Sequence, residues 1–207
     1  IITSAEDNPS ECIKTNVIGS ANVVQAAIYN KVKKVIALST DKACNPINFY
    51  GASKLLSEKI FLIENNIQNI TKIGVVRYGN VLGSRGSVVP FFQSLKKNVP
   101  IPITDKRMTR FIITLEQAVE MVWSSFKMML GGEIIIKKIP SINIIDLAKT
   151  INNKCKIKII GIRPSEKINE EIISNNEARN TIDYKEYYII VPNNSKTFNA
   201  YLKKGKK

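Results

Sequence analysis

The sequence contains no histidine. That excludes Ser-His-Asp hydrolysis, histidine general-base catalysis and histidine metal ligation together. Chemistry near neutral pH must then come from Tyr, Lys, Asp, Glu or Cys in a perturbing environment. Cysteine is scarce as well: Cys12, Cys44 and Cys155 stand far apart with no C-x-x-C pair. Neither a disulfide framework nor a cysteine metal site follows, so no metal is expected. No apolar run approaches the ~20 residues a membrane span needs. Ile1 and Ile2 are followed at once by Thr3, Ser4, Glu6 and Asp7, which is no secretory leader. The expectation is a cytoplasmic protein without membrane contact.

What is present is an ordinary globular composition, 44% apolar and 23% charged, on a chain of 207 residues. A net charge of +14 raises the question of nucleic acid, since basic surfaces bind phosphate backbones by releasing counterions. The distribution answers it. Residues 1–150 carry 19 basic and 11 acidic side chains and residues 151–207 carry 12 and 6, so the excess is spread rather than patched. No nucleic-acid module signature accompanies it, and no nucleic-acid partner is expected.

Pro9 to Tyr29 reads as helix, with Ile13, Val17, Ala21, Val24 and Ala27 at helical spacing. Val35–Leu38 and Ile73–Val76 are short apolar runs of buried-strand type, and Tyr50–Glu64 returns to helical spacing between them. Near-continuous apolar strands alternating with helices indicate a parallel sheet covered on both faces. Ligands of such sheets sit beyond the carboxyl ends of the strands, here the loops Ser39–Asn48 and Tyr78–Gly86. After Pro90 short helices (88–98, 115–127, 143–152) and strands (133–137, 156–160) suggest a small α+β lobe. The fold of 174–207 is left open.

Tyr50 and Lys54 form Y-x-x-x-K, with both side chains on one helical face. An ammonium beside a phenol favours phenolate, so Tyr50 could take a proton from a hydroxyl. Ten residues upstream, at a strand end, stands Ser39-Thr40-Asp41-Lys42. Longer blocks extend the pattern: Glu11–Gly19, Ile36–Ala43, Asn45-Pro46, Tyr50–Lys54, Arg77–Val88, Asp105–Phe111 and Gly161–Pro164. Together they resemble the inverting UDP-N-acetylglucosamine 4,6-dehydratases of the short-chain dehydrogenase/reductase superfamily, over roughly residues 5–175.

The resemblance implies an α/β fold: a Rossmann-like, doubly wound parallel sheet lacking its first βαβ units, with a small α+β substrate-binding lobe. Residues 1–100 would be the later part of the dinucleotide-binding domain with the catalytic loop, 101–175 a mixed substrate-binding lobe with elements returning to the first domain, and 176–207 a polar stretch without an assigned fold. It also implies roles. Thr40 and Tyr50 would contact the sugar hydroxyl at C4, with Lys54 holding the nicotinamide ribose and lowering the pKa of Tyr50. Asp41 would be the acid that helps water leave C6, and Lys42 the base that removes the C5 proton. Asn16, Ser39, Tyr50, Lys54, Tyr78 and Asn80 would line the cofactor, NADP, with NAD the other candidate. Asn80, Val81, Arg85, Met108, Thr109, Arg110, Arg163 and Glu166 would line a UDP-sugar. Arg85, Arg110 and Arg163 are the guanidinium candidates for its diphosphate, which needs forked, permanent charge. A homo-oligomer is expected of the full-length protein.

Epimerases of the superfamily usually have a small residue at the place of Asp41, and retaining dehydratases commonly lack tyrosine at the place of Tyr50. The chain departs from the family where Ser165, Ile168 and Asn169 replace Gly, Leu and His, and where Ile112 replaces an aromatic residue. The family's first strand and glycine-rich turn, which bind the cofactor pyrophosphate, are absent from these residues and would precede Ile1. Two rival readings remain: an epimerase or retaining dehydratase on the same scaffold, and a non-catalytic remnant that binds a partner.

Overall fold

The computed structural model describes residues 2–67, 70–84, 86–96, 99–191 and 196–203. Arg85, one of the expected diphosphate ligands, lies outside them. The chain divides into two compact units that interleave in sequence, so no single cut near residue 100 separates them. One unit holds 1–78, 119–138 and 171–207, the other 79–118 and 139–170.

The first unit is built on a five-stranded sheet. Lys34–Thr40 runs parallel to Lys72–Tyr78 in continuous register, from Lys34 against Lys72 to Thr40 against Tyr78. Ile134–Lys137 adds a third parallel strand. The far edge is antiparallel: Tyr187–Ile190 pairs with Ile134–Lys137 and then with Thr181–Tyr184. The sheet is therefore mixed rather than wholly parallel, and Thr181–Tyr184 and Tyr187–Ile190 complete it. The hairpin explains why: Lys185 and Glu186 close it in two residues, with Lys185 left-handed at φ 56°, and so short a turn can only reverse the strand.

Helices Gly19–Tyr29 and Phe49–Ile67 carry the apolar stripes that cover this sheet. Val24 and Phe61 meet Ala37, Ile73, Val75, Ile134, Ile136 and Ile190 in one core. Ile73, Val75 and Val76 are completely buried, each worth about 1.5–3 kcal/mol of transfer free energy. The helical stretch after Pro9 is not uniform: a π turn, Lys14–Ile18, joins Pro9–Ile13 to Gly19–Tyr29.

In the second unit Asn80–Val81 pairs parallel with Thr109–Ile113, which pairs antiparallel with Ser141–Asn143. Ile101–Ile103 pairs parallel with Ile157–Ile159. Helices Val88–Ser94 and Ile144–Ile151 pack on a core of Phe92, Ile101, Ile103, Met108, Ile144 and Leu147. Short elements of both kinds match the α+β lobe expected. Among the described residues no helix is long and apolar enough to cross a membrane.

Candidate active site

The strand Lys34–Thr40 ends at Thr40, whose hydroxyl caps a single 3-10 turn, Asp41–Ala43, by accepting the Lys42 amide at 3.4 Å. That turn aims three side chains at one another. Asp41 is completely buried, and its Oδ1 accepts the Thr40 hydroxyl at 2.9 Å and the Lys42 ammonium at 2.9 Å. Its other oxygen, Oδ2, is buried without a hydrogen-bond partner. An unpaired buried carboxylate oxygen costs free energy until something donates to it, so Oδ2 is a ready acceptor for a ligand hydroxyl.

The helix Phe49–Ile67 brings Tyr50 and Lys54 to this turn. Asn48 starts it, its side chain accepting the Gly51 amide at 2.7 Å. Gly51 allows the approach: a Cβ there would stand 2.2 Å from the carbonyl oxygen of Lys42. Only a residue without a side chain lets the helix lie directly on the Asp41–Ala43 turn.

Burial raises the pKa of Tyr50 above the ordinary phenol value, and the nearby Tyr78, Asp41 and Cys12 add to the effect. This corrects the expectation that Lys54 lowers it. The Lys54 ammonium is turned to the Leu38 carbonyl at 2.8 Å, so the backbone rather than the phenol engages it. Burial lowers the pKa of Lys54, with Glu58 opposing the shift. Tyr78, at the end of the neighbouring strand, is likewise raised by burial.

Asn16 sits in the π turn, a distortion that recurs at functional sites. Its amide donates to Ser53 Oγ at 2.9 Å, and Ser53 donates in turn to the Tyr50 carbonyl at 2.8 Å. An open cleft of about 360 Å³ lies here, lined among others by Asn8, Glu11, Cys12, Asn16 and Tyr50. Amide, hydroxyl and phenol groups lining such a cleft suit the ribose and carboxamide of a nicotinamide. The residues present therefore fit that end of the cofactor. Ser39 is buried and donates to Glu58 at 2.5 Å, so its hydroxyl is taken up inside the protein.

The expected substrate residues lie in the second unit. Asn80 and Val81 form a short strand, positioned by Gly79, where a Cβ would stand 2.4 Å from Phe111 Cβ. Met108 is 3% exposed and belongs to that unit's core, a packing position that helical or strand periodicity does not expose. Thr109 donates to the Asn169 side chain at 2.8 Å. Arg110 gives Nη1 to the Thr109 and Ile168 carbonyls at 2.7 and 2.9 Å, and Nη2 to the Lys167 carbonyl at 2.9 Å. It clamps the 166–169 loop, with Glu166 3.7 Å away. Arg163 is exposed, and its amide donates to Glu166 at 3.3 Å. Among the described residues no cluster of acidic or sulfur groups could hold a metal ion.

Reasoning from sequence missed Ser53, Glu58, Arg77 and Glu177, which hold this centre in place. The signal was available for two of them. Glu58 continues the Tyr50–Lys54 spacing by one turn, and Arg77 is a charge that directly follows the buried apolar run Ile73–Val76.

A family model described as polysaccharide biosynthesis protein matches residues 2–192. The chain is 52% identical, over 98% of its own length, to a protein of Campylobacter jejuni named UDP-N-acetylglucosamine 4,6-dehydratase (inverting). It is 42% identical over 91% of its length to a Rickettsia bellii protein named UDP-glucose 4-epimerase. It spans 64% and 58% of the lengths of these relatives. The solved structure of Pen from Bacillus thuringiensis superposes with a TM-score of 0.87 at 37% identity, covering 94% of this chain and 63% of that one.

Proposed function

Because the chain belongs to the polysaccharide biosynthesis protein family, we propose that it supplies the catalytic centre of a nucleotide-sugar 4,6-dehydratase. The substrate would be UDP-N-acetylglucosamine and the product a 4-keto-6-deoxy sugar nucleotide inverted at C5. The observation that carries this reading is the buried Asp41 in contact with Lys42, next to Tyr50. An epimerase needs only the tyrosine, because C4 oxidation and reduction move one hydroxyl proton. Loss of water across C5–C6 needs an acid and a base as well. The likeness to the Campylobacter protein, higher than that to the Rickettsia one, supports the same choice.

A bound nicotinamide would supply the redox chemistry, hydride transfer out of C4 and into C6. The remaining work falls to this chain. Tyr50, whose raised pKa requires that its own proton first pass to solvent, then takes the C4 hydroxyl proton with help from Thr40. The ketone acidifies the C5 hydrogen. Elimination then needs a neutral amine at Lys42 and a protonated Asp41, which differ from the ion pair in the structure by one proton moved across 2.9 Å. Lys42 removes the C5 proton as Asp41 protonates the departing C6 oxygen, and the ion pair is restored. Two protons gained, at Tyr50 and Lys42, balance the one given to water and the one returned to C5 on the opposite face.

Arg163, whose guanidinium lies on an exposed loop, is the proposed grip on the diphosphate. Arg110, already committed to three carbonyls, serves that grip by holding the loop's far end. NADP rather than NAD, a homo-oligomer and a cytoplasmic location belong to the same proposal and rest on the resemblance of the motif blocks.

Two variants of the full-length protein test the division of labour. Lys42→Ala should still reduce cofactor when given UDP-N-acetylglucosamine, yet fail to exchange the C5 hydrogen with deuterated water. Tyr50→Phe should block both steps. Normal C5 exchange in Lys42→Ala would remove Lys42 as the base and with it the dehydratase reading of this turn.

A further inference from the structure

The most heavily charged buried feature of the first unit lies behind the catalytic turn. Arg77 is completely buried. Its Nε and Nη2 donate to the two oxygens of Glu58 at 3.0 and 2.7 Å. Its Nη2 and Nη1 donate to the two oxygens of Glu177 at 2.8 and 3.1 Å, and Nη1 also reaches the Ile172 carbonyl at 2.9 Å. Glu58, 2% exposed, uses Oε1 a second time to accept the Ser39 hydroxyl.

The cluster is hard to explain as a stabilising device alone. Removing a guanidinium and a carboxylate from water costs several kcal/mol per ion, and well-packed apolar groups often serve stability equally well. What charged, forked hydrogen bonds add is fixed geometry. Here they fix one relation in particular. Tyr50, Lys54 and Glu58 follow one another at successive helical turns and share a face. Opposite them on the strand, the Leu38 carbonyl receives Lys54 and the Ser39 hydroxyl donates to Glu58. Ser39 immediately precedes Thr40 and the Asp41–Lys42 pair. The Glu58 contact is thus the last side-chain tie between the helix and the strand before the turn begins.

We propose that Glu58, gripped by Arg77, is a positioning residue that sets the Thr40–Lys42 turn in register with Tyr50 and Lys54. It touches no reacting atom. Its negative charge also works on Lys54, opposing the loss of affinity for a proton that burial imposes there. The proposal rests on the dehydratase reading for its catalytic meaning, while the geometric part stands apart from it.

The test uses Glu58→Gln, Ser39→Ala and, as control, Glu177→Gln in the full-length protein. Glu177→Gln weakens the same buried cluster without touching Ser39 or the Lys54 neighbourhood. Hydrogen exchange of the Thr40–Lys42 amides, which needs no activity, should accelerate roughly tenfold in Glu58→Gln and Ser39→Ala beyond the share that each variant's loss of global stability in urea accounts for, with no such local excess in Glu177→Gln. With UDP-N-acetylglucosamine and NADP, Glu58→Gln should lose roughly tenfold or more in kcat with little change in KM. The alkaline limb of its kcat–pH profile should move to lower pH, because Lys54 then sheds its proton sooner. Ser39→Ala, which deletes only one hydroxyl, keeps the test decisive if Glu58→Gln does not fold. Unchanged exchange at residues 40–42, or an equal effect of all three variants, overturns the proposal. Faster exchange in a wild-type background that does not dehydrate the sugar would overturn the dehydratase reading and leave the positioning role intact.

Discussion

Glu177 is held by Arg77 on one side and by a capping box with Ser174 on the other, and glutamine can separate the two. Gln satisfies a capping box as Glu does, so Glu177→Gln keeps the cap of the helix Asn175–Ala178 and removes the charge that faces Arg77. The pKa of the Glu177 carboxyl falls from 4.5 to about 2: burial opposes the fall, and hydrogen bonds from Arg77 and Ser174 with the Arg77 charge more than offset it. At 1.36 kcal/mol per tenfold change in proton affinity, that displacement is worth roughly 3 kcal/mol at neutral pH. The side chain is 19% exposed, so solvent screening removes only a small part. A folded-state pKa below the unfolded one gives stability that is complete above pH 4.5 and lost as pH falls toward 2. Urea denaturation followed by circular dichroism should therefore show Glu177→Gln about 2–3 kcal/mol less stable at pH 7. The gap should narrow through pH 4 and close near the acid limit. Equal stability at pH 7, or a gap that persists undiminished in acid, would mean that the Arg77–Glu177 contact does not stabilise the fold.

Two further variants probe the centre itself. Gly51→Ala gains about 1 kcal/mol of helix propensity, yet its Cβ must displace the Lys42 carbonyl; activity should fall about a hundredfold while the protein stays folded, and unimpaired turnover would show that the turn is free to move. Arg163→Ala should weaken UDP-sugar binding by about 1.5–3 kcal/mol in calorimetry, as for a lost charged hydrogen bond, and leave cofactor affinity alone; equal loss for both ligands would indicate a folding defect instead.

Much of the centre could be read from the chain. Thr40, Asp41, Lys42, Tyr50 and Lys54 lie close together because their spacing is local, a strand end, a turn and a helical repeat, while the roles expected of them came from the resemblance of the motif blocks. The parallel pairing of the two apolar runs was legible for the same reason. Relations between distant segments were not. The ties of Arg77 to Glu58 and Glu177 span 19 and 100 residues, and nothing in sequence order announces them. Residues 176–207 looked polar because their strands are short and half-exposed, with only Ile182, Ile189 and Ile190 buried in the strands. Arg110 was read as a ligand for phosphate, since a guanidinium looks the same in sequence whether it faces a diphosphate or three carbonyls. One departure from the family gained meaning in three dimensions. Ser165, standing where the family carries glycine, has φ 64°, a left-handed conformation that glycine adopts without strain.

On the proposed mechanism Asp41 and Lys42 turn a C4 oxidation at Tyr50 into loss of water. The measurement that tests this most directly is nuclear magnetic resonance of the product formed by the full-length protein from UDP-N-acetylglucosamine and NADP in deuterated water. The expected product is a 4-keto-6-deoxy sugar nucleotide carrying one deuterium at an inverted C5. A product that keeps its C6 hydroxyl and differs only in configuration at C4 would contradict it.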